Sequence, residues 1–331
     1  MRLATWHIEA ERQGPGVLLR DITRGDPQIS AVVDIVTDMA PDILLLQGVD
    51  YDHDGLALRA LRDAISKAGV AYPHLFTARP NSGQPSGYDM DGDGRLGEPE
   101  DAIGYGHFWG QGGMAILSRY PVVTTEVQDL SHVLWADMPG ALFHDETEGP
   151  VIPRDAMKTL PLASNAHWIV PVDTPLGRVS LLALHAAPPV FDGPEDRNGR
   201  RNHDQIMFWI EVLNSRFGPA PSERFFVLGA TNQDPLRGEG RKAAIRALLG
   251  DPRLQDPKPR RSEVKGLAPS ALGDTVAWPG PEPGPLRVDY VLPSRDWTVV
   301  ASGVHWPLTG DGAARAETAS RHRLVWVDVT R

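Results

Sequence analysis

Apolar positions along the chain fall into short blocks separated by polar and Gly/Pro-rich stretches, and their period changes from block to block. Ile29, Val32, Val33, Val36 and Met39 share one face at helical spacing, which predicts a helix over residues 29–39. Asp42 then leads into the continuous apolar run 43–46, the pattern of a buried strand. A second helix is predicted over 56–68, closed by Gly69, a residue suited to a left-handed C-cap. LATWHI, beginning at Leu3, reads as the first core strand. Further strands are predicted at 114–117, 168–172, 179–184, 225–228, 288–292 and 324–329, with helices at 203–214 and 241–249.

Strands at such intervals, with helices between them but no regular βαβ repeat, fit an α/β chain of two packed sheets flanked by helices. The Pro- and Gly-rich stretches 80–112 and 250–287 read as long surface loops rather than linkers, so residues 1–331 are expected to form one domain. Composition supports a sizeable core, with 41% hydrophobic and 23% charged residues. A formal charge of −10 argues against generic nucleic-acid binding, which depends on cations displacing phosphate counterions, although a local basic groove is compatible with it. The absence of cysteine excludes disulfides, zinc–thiolate sites and thiol nucleophiles. No apolar run approaches a membrane span and no signal peptide opens the chain, so a soluble protein is expected. An exported mature form fits equally well, and the compartment stays open.

One loop carries a metal-binding spacing. In Asp89-Met-Asp91-Gly-Asp93-Gly94-Arg95-Leu96-Gly97-Glu98-Pro99-Glu100, acids stand at positions 1, 3, 5 and 12 of a calcium-loop pattern. Gly94 permits the sharp turn at position 6, and Arg95 offers its carbonyl at position 7. The predicted structural calcium ligands are therefore Asp89, Asp91, Asp93, Arg95 and Glu100. The flanking sequences are poor helix formers and Pro99 lies inside, so a paired sensor-type EF-hand is not expected. A solvated Asp/Gly loop without metal is the competing reading.

Four segments carry candidate chemistry: ATWHIE near the start, LLLQGVD at 44–50, VLGATNQDP at 227–235 and ASRHRLVW at 319–326. Between them lie GQGGMAILSRYPV at 110–122, LLALHAAPPVFDG at 181–193 and LRVDYVLPS at 286–294. In this order they resemble the endonuclease/exonuclease/phosphatase superfamily, the deoxyribonuclease-I-like fold, whose usual segments are T-x-N, LQE, GDxN and SDH. The resemblance covers nearly the whole chain and implies a four-layer α/β/β/α sandwich of two mainly antiparallel sheets. It also implies hydrolysis of phosphoesters with magnesium or manganese. Here the usual acidic slots are altered: His7, Gly48, Ala230 and Arg321 stand where the family has Asn, Glu, Asp and Asp.

The resemblance assigns Asp289 and His322 to the family's Asp–His pair, His185 to a phosphate-contacting histidine and Asn232 to the surviving residue of GDxN. Arg321 is a permanent cation that can take over part of a metal's electrostatic work or block metal entry. Asp50, two residues beyond Gly48, is a candidate displaced ligand; the alternative is a polar turn that caps the next helix. With His7 it defines a candidate second metal site, and the imidazoles of His7, His185 and His322 would suit a transition metal of unassigned identity. Arg197, Asn198 and Arg201 follow His185 in a polar stretch that could bind a substrate anion or pair with its own acids.

Two functions remain open at this level: a hydrolase acting on a small anionic or phosphorylated ester through an altered metal or His/Arg site, and a catalytically inactive, calcium-stabilised binding or scaffold protein of the same fold. Protein partners are not legible.

Overall fold

The computed structural model describes residues 1–145, 149–150, 152–262, 268–280 and 282–331. In chain order its main elements are β1 (Arg2–Ala10), α1 (Val17–Arg24), α2 (Pro27–Met39), β2 (Ile43–Val49), α3 (Leu56–Lys67), β3 (His74–Phe76), β4 (Gly113–Ser118), β5 (Gln128–Asp129), β6 (His167–Thr174) and β7 (Gly177–His185). They continue with α4 (Arg197–Leu213), β8 (Phe225–Ala230), α5 (Lys242–Gly250), β9 (Asp289–Pro293), β10 (Thr298–Val304), α6 (Gly310–Ala319) and β11 (Val325–Thr330). One sheet runs β10-β11-β1-β2-β4-β3 and the other β9-β8-β7-β6-β5. The pairs β1/β2 and β7/β8 are parallel; the other pairs in these sheets are antiparallel.

Alternation along each strand builds the layers. Leu3, Ile43, Leu45, Met114 and Ile116 face Trp168, Val170, Leu181, Phe226, Leu228 and Val291 across the gap between sheets. The opposite phase, including Ala4, Trp6, Ile8, Leu44 and Leu46, packs beneath α1, α2, α3 and α6. On the far side Leu182, Leu184, Val227 and Leu292 pack against α4 and α5. The four-layer sandwich expected from the sequence is the observed architecture.

Local chemistry explains several element ends. Asp26 caps α2, accepting from the backbone N–H groups of Gln28 and Ile29, and Pro27 opens the helix. By contrast α1, α6 and β10 lie outside the predicted elements. Helix α1 buries only Leu18 and Ile22 and α6 only Ala316 and Ala319, apolar signals too thin to show a period. Helix α4 begins at Arg197, six residues before its predicted start, because its first turns bury polar residues such as Arg201, Asn202 and Gln205. The expected 250–287 loop contains α5's last residue and short paired segments; residues 263–267 and 281 lie outside the described residues.

His167 on β6 is buried, stacked 4.6 Å from Phe208 and edge-on to Trp209, with neither ring nitrogen hydrogen-bonded. Burial, assisted by the charge of Arg201, lowers its pKa from 6.5 to about 3. Between those values the unfolded chain binds a proton that the folded chain refuses, so stability falls as pH drops below 6.5, by up to about 1.4 kcal/mol per pH unit. His167→Phe is expected to flatten this acid limb. Urea unfolding at pH 4.5 and 7.5 checks it: an unchanged difference between the two pH values would refute the assignment.

Candidate active site

Strand ends from both sheets converge on one polar cluster. Strands β1 and β2 share an irregularity there: their register passes from His7 opposite Gln47 to Ala10 opposite Val49. Glu9 (φ 50°) and Gly48 (φ 69°) both take left-handed backbone angles at this point. In the second sheet, Ala230 at the end of β8 pairs with His185 on β7 and with Asp289 on β9. Ala230 thus stands between the two groups that the resemblance placed in the site.

The imidazoles of His7, His185 and His322 form the centre. The ring of His7 lies 4.8 Å from that of His185 and 4.7 Å from that of His322. His322 Nδ1–H donates to Asp289 Oδ2 at 2.9 Å, with Oδ1 at 3.1 Å, and both side chains are buried. The Thr275 hydroxyl donates to Asp289 Oδ2 at 2.7 Å, which fixes the carboxylate. Because Asp289 takes Nδ1, Nε2 is the nitrogen His322 presents to a ligand.

Charge is distributed unevenly among the rings. Burial opposes the charged form of His322, but the Asp289 carboxylate, with help from Glu9, outweighs it and raises the pKa. His185 is lowered to about 3 by burial and by the charge of His322. His7 is lowered well below its ordinary value by burial first and then by His322, His185 and Arg321. The charged form is thus favoured on His322 and disfavoured on His7 and His185, and the Nδ1 atoms of His7 and His185 are buried without hydrogen bonds.

Asn232 sits just past β8 with φ 54° and donates its amide to the Ala186 carbonyl at 2.8 Å, which ties the 230–232 turn to the end of β7. Arg321 lies at the rim with its side chain 54% exposed. Its Nε donates to Glu9 Oε1 at 2.7 Å and its guanidinium stacks 4.6 Å over Trp278, whose ring meets His322 edge-on. Asp50 is buried, and its two oxygens accept the backbone N–H groups of Arg12 and Gly112, each at 2.9 Å. Burial lifts the Asp50 pKa to about 6 despite those bonds.

The substrate-loop expectation is corrected in part. Arg201 is buried and its guanidinium donates to the carbonyls of Leu162, Ile103 and Pro161, so it holds α4 to neighbouring loops rather than facing solvent. Asn198 donates to the Val190 carbonyl and Arg197 to that of Met90. The calcium-type loop also differs in one member. Glu100 is exposed, whereas Asp101 is buried and its carboxylate groups with those of Asp89 and Asp91, all ligand atoms lying within 4.8 Å of one another. A 3-10 turn over Pro99–Asp101 rotates the thirteenth residue inward in place of the twelfth. Asp93 and Arg95 remain on the exposed tip, where Arg95 N–H donates to Asp93.

Two acids absent from the expected set reach the centre. Donor atoms of His7, Glu9 and His322 all lie within 4.8 Å of one another. Glu11 Oε1 lies 3.5 Å from His7 Nε2. The signal was present in WHIEAE, where His7, Glu9 and Glu11 alternate as residues on one face of a strand do. Burial, followed by the neighbouring charges of Glu9 and Asp50, pushes Glu11 up to about 7. Burial also works against ionised Glu9, but its hydrogen bonds from Arg321 prevail and its pKa is lowered.

The model of the Endonuclease/Exonuclease/phosphatase family matches residues 10–322. No curated protein matches. Among solved structures, an endonuclease/exonuclease/phosphatase from Beutenbergia cavernae is 20% identical with a TM-score of 0.59, covering 99% of this chain and 71% of its own. Sphingomyelinase C from Streptomyces griseocarneus is 14% identical (TM-score 0.54; 100% and 99% covered). A beta toxin mutant from Staphylococcus aureus with bound magnesium ions is 13% identical (TM-score 0.53; 98% of each chain covered). At these identities the likeness establishes a shared fold.

Proposed function

Since the chain belongs to the endonuclease/exonuclease/phosphatase family, we propose that it hydrolyses a phosphate ester or related anionic ester at the His7–His185–His322–Asp289 cluster. The observation that carries this reading is the buried Asp289–His322 pair, 2.9 Å apart, with the His7 ring 4.7 Å from His322 and 4.8 Å from His185. Hydrolysis requires water to add at phosphorus, the ester P–O bond to break, and a proton to reach the departing oxygen. His322 in its imidazolium form holds such a proton at Nε2, while Asp289 orients the ring and balances its charge. His185, at the strand end beside it, offers a neutral imidazole to a phosphoryl oxygen. The formal charge of −10 disfavours generic nucleic acid, so a small anionic substrate is proposed.

The family implies a divalent ion. Gly48 and Ala230 supply no ligand, yet His7, whose buried Nδ1 has no hydrogen-bond partner, has a ring nitrogen within 4.8 Å of a Glu9 carboxylate oxygen, and these two residues would hold one while His322 keeps its Nε2 proton for the departing oxygen. Such an ion would neutralise phosphate charge and lower the pKa of a bound water. The mixed imidazole and carboxylate set favours manganese or zinc over magnesium. At the separate Asp89–Asp91–Asp101 cluster we read a structural calcium ion that staples the 80–112 loop.

A binding role without turnover has one observation in its favour: fully buried Ala230 leaves no carboxylate to orient water between His185 and Asp289. A screen of phosphomonoesters and phosphodiesters with magnesium, manganese, zinc, iron and calcium separates the readings. Turnover with at least one metal is expected, together with a higher melting temperature in calcium than in chelator. No turnover with any metal would leave the binding role; no calcium shift would remove the staple.

A further inference from the structure

The missing β2 acid leaves a volume that another residue fills. A Cβ built on Gly48 would lie 2.8 Å from Glu11 Oε1 and 2.9 Å from His7 Cε1. A Cβ on Gly112 would lie 2.9 Å from Glu11 Cγ and 3.1 Å from its Oε1. Glu11 therefore lies across two glycines, and any larger side chain at either would displace it. Asp50 fastens this arrangement from behind, because it binds the N–H of Arg12, next to Glu11, and the N–H of Gly112, beneath it.

Local charges are unbalanced. Glu9, Glu11 and Asp50 converge, but Arg321 is spent on Glu9, and Arg12 on Asp21 at 2.9 Å and on Gln28. His7 Nε2 lies 3.5 Å from Glu11 Oε1. His7 is more than nine-tenths buried, and its Nδ1 has no partner. Among the described residues no guanidinium or ammonium pairs with the Glu11 carboxylate or the His7 ring, and a carboxylate and a buried imidazole so placed suit a bound cation. Ligand atoms about 2.1 Å from one metal ion stand roughly 3.0–3.4 Å apart, close to the observed His7–Glu11 separation.

We infer that Glu11, reaching over Gly48 from the end of β1, replaces the lost β2 carboxylate as an acidic ligand of a divalent transition cation shared with His7. The acid has changed strands while its place in space is retained. Asp50 becomes a positioning residue for this ligand. The inference rests on the hydrolase reading only in supposing that a divalent ion is used, and its test does not depend on turnover.

The experiment titrates chelator-stripped full-length protein, with calcium present, with manganese(II), followed calorimetrically and by the electron paramagnetic resonance of free ion. The parent is expected to bind one manganese that Glu11→Gln weakens by on the order of 100-fold. Glu11→Asp, which keeps the charge but shortens the reach, is expected to fall between them and covers the case in which the amide variant misfolds. A thermal double-mutant cycle of Gly48→Ala with Glu11→Ala reads the shared volume: the melting penalty at position 48 should shrink once Glu11 is truncated. Equal manganese affinity in parent and Glu11→Gln, no binding by the parent, or additive melting shifts would each overturn the proposal. Metal binding through Glu11 without hydrolysis would instead sink only the hydrolase reading.

Discussion

Asp289→Asn is expected to lower phosphoester turnover by about 10²–10⁴-fold while leaving the fold intact, the range associated with losing an oriented acid–base imidazole. The carboxamide is isosteric, so packing around β9 is preserved. What changes is charge and polarity. Asp289 now accepts from His322 Nδ1–H and from the Thr275 hydroxyl on the same side of the site. An amide can present only one acceptor oxygen there, and its NH2 group would face a donor or force the imidazole into its other tautomer. Burial already opposes the charged ring of His322, and the Asp289 carboxylate is the main force raising its pKa. Removing that charge must lower the pKa. Imidazole proton shifts followed by NMR across pH would show the fall independently of turnover. A variant with parental rate and an unmoved His322 titration would show that the pair is structural only.

Gly229→Ala is expected to be among the most destabilising single-methyl additions in the chain, on the order of 3 kcal/mol or more. Gly229 has φ 139°, and a Cβ there would lie 1.9 Å from the carbonyl oxygen of Leu184. These residues are register partners in the parallel β7/β8 pair, one step before Ala230 opposite His185. The strands cannot separate locally, because Leu184 and Leu228 pack into hydrophobic layers on opposite faces. The added methyl would therefore also spread His185 from the 230–232 turn. Urea or thermal unfolding measures the stability loss; a melting temperature within about 2 °C of the parent would contradict the close approach.

The blocks of apolar residues marked most of the strands because side-chain alternation and helical period are local properties. Elements with few apolar positions, α1 and α6, carry too little of this signal, and the first turns of α4 lack it because they bury polar groups satisfied by distant carbonyls. The ordered motifs group His185, Asp289 and His322, and the convergence of strand ends brings them together around His7. The altered acids at 48 and 230 were equally legible as substitutions.

By itself, then, the sequence determined the layered α/β architecture, the family, and which of the usual acids are missing. Only the tertiary structure decided which side chain fills the space beside Gly48. Glu11 reaches the space above Gly48 through a bulge on β1 and close contact with Gly112 from a different part of the chain. Likewise, Asp101 turns inward while Glu100 remains exposed, and Arg201 is drawn onto carbonyls 39 to 98 residues away in sequence. Such outcomes depend on backbone angles and register across long sequence separations, which spacing along one segment does not encode.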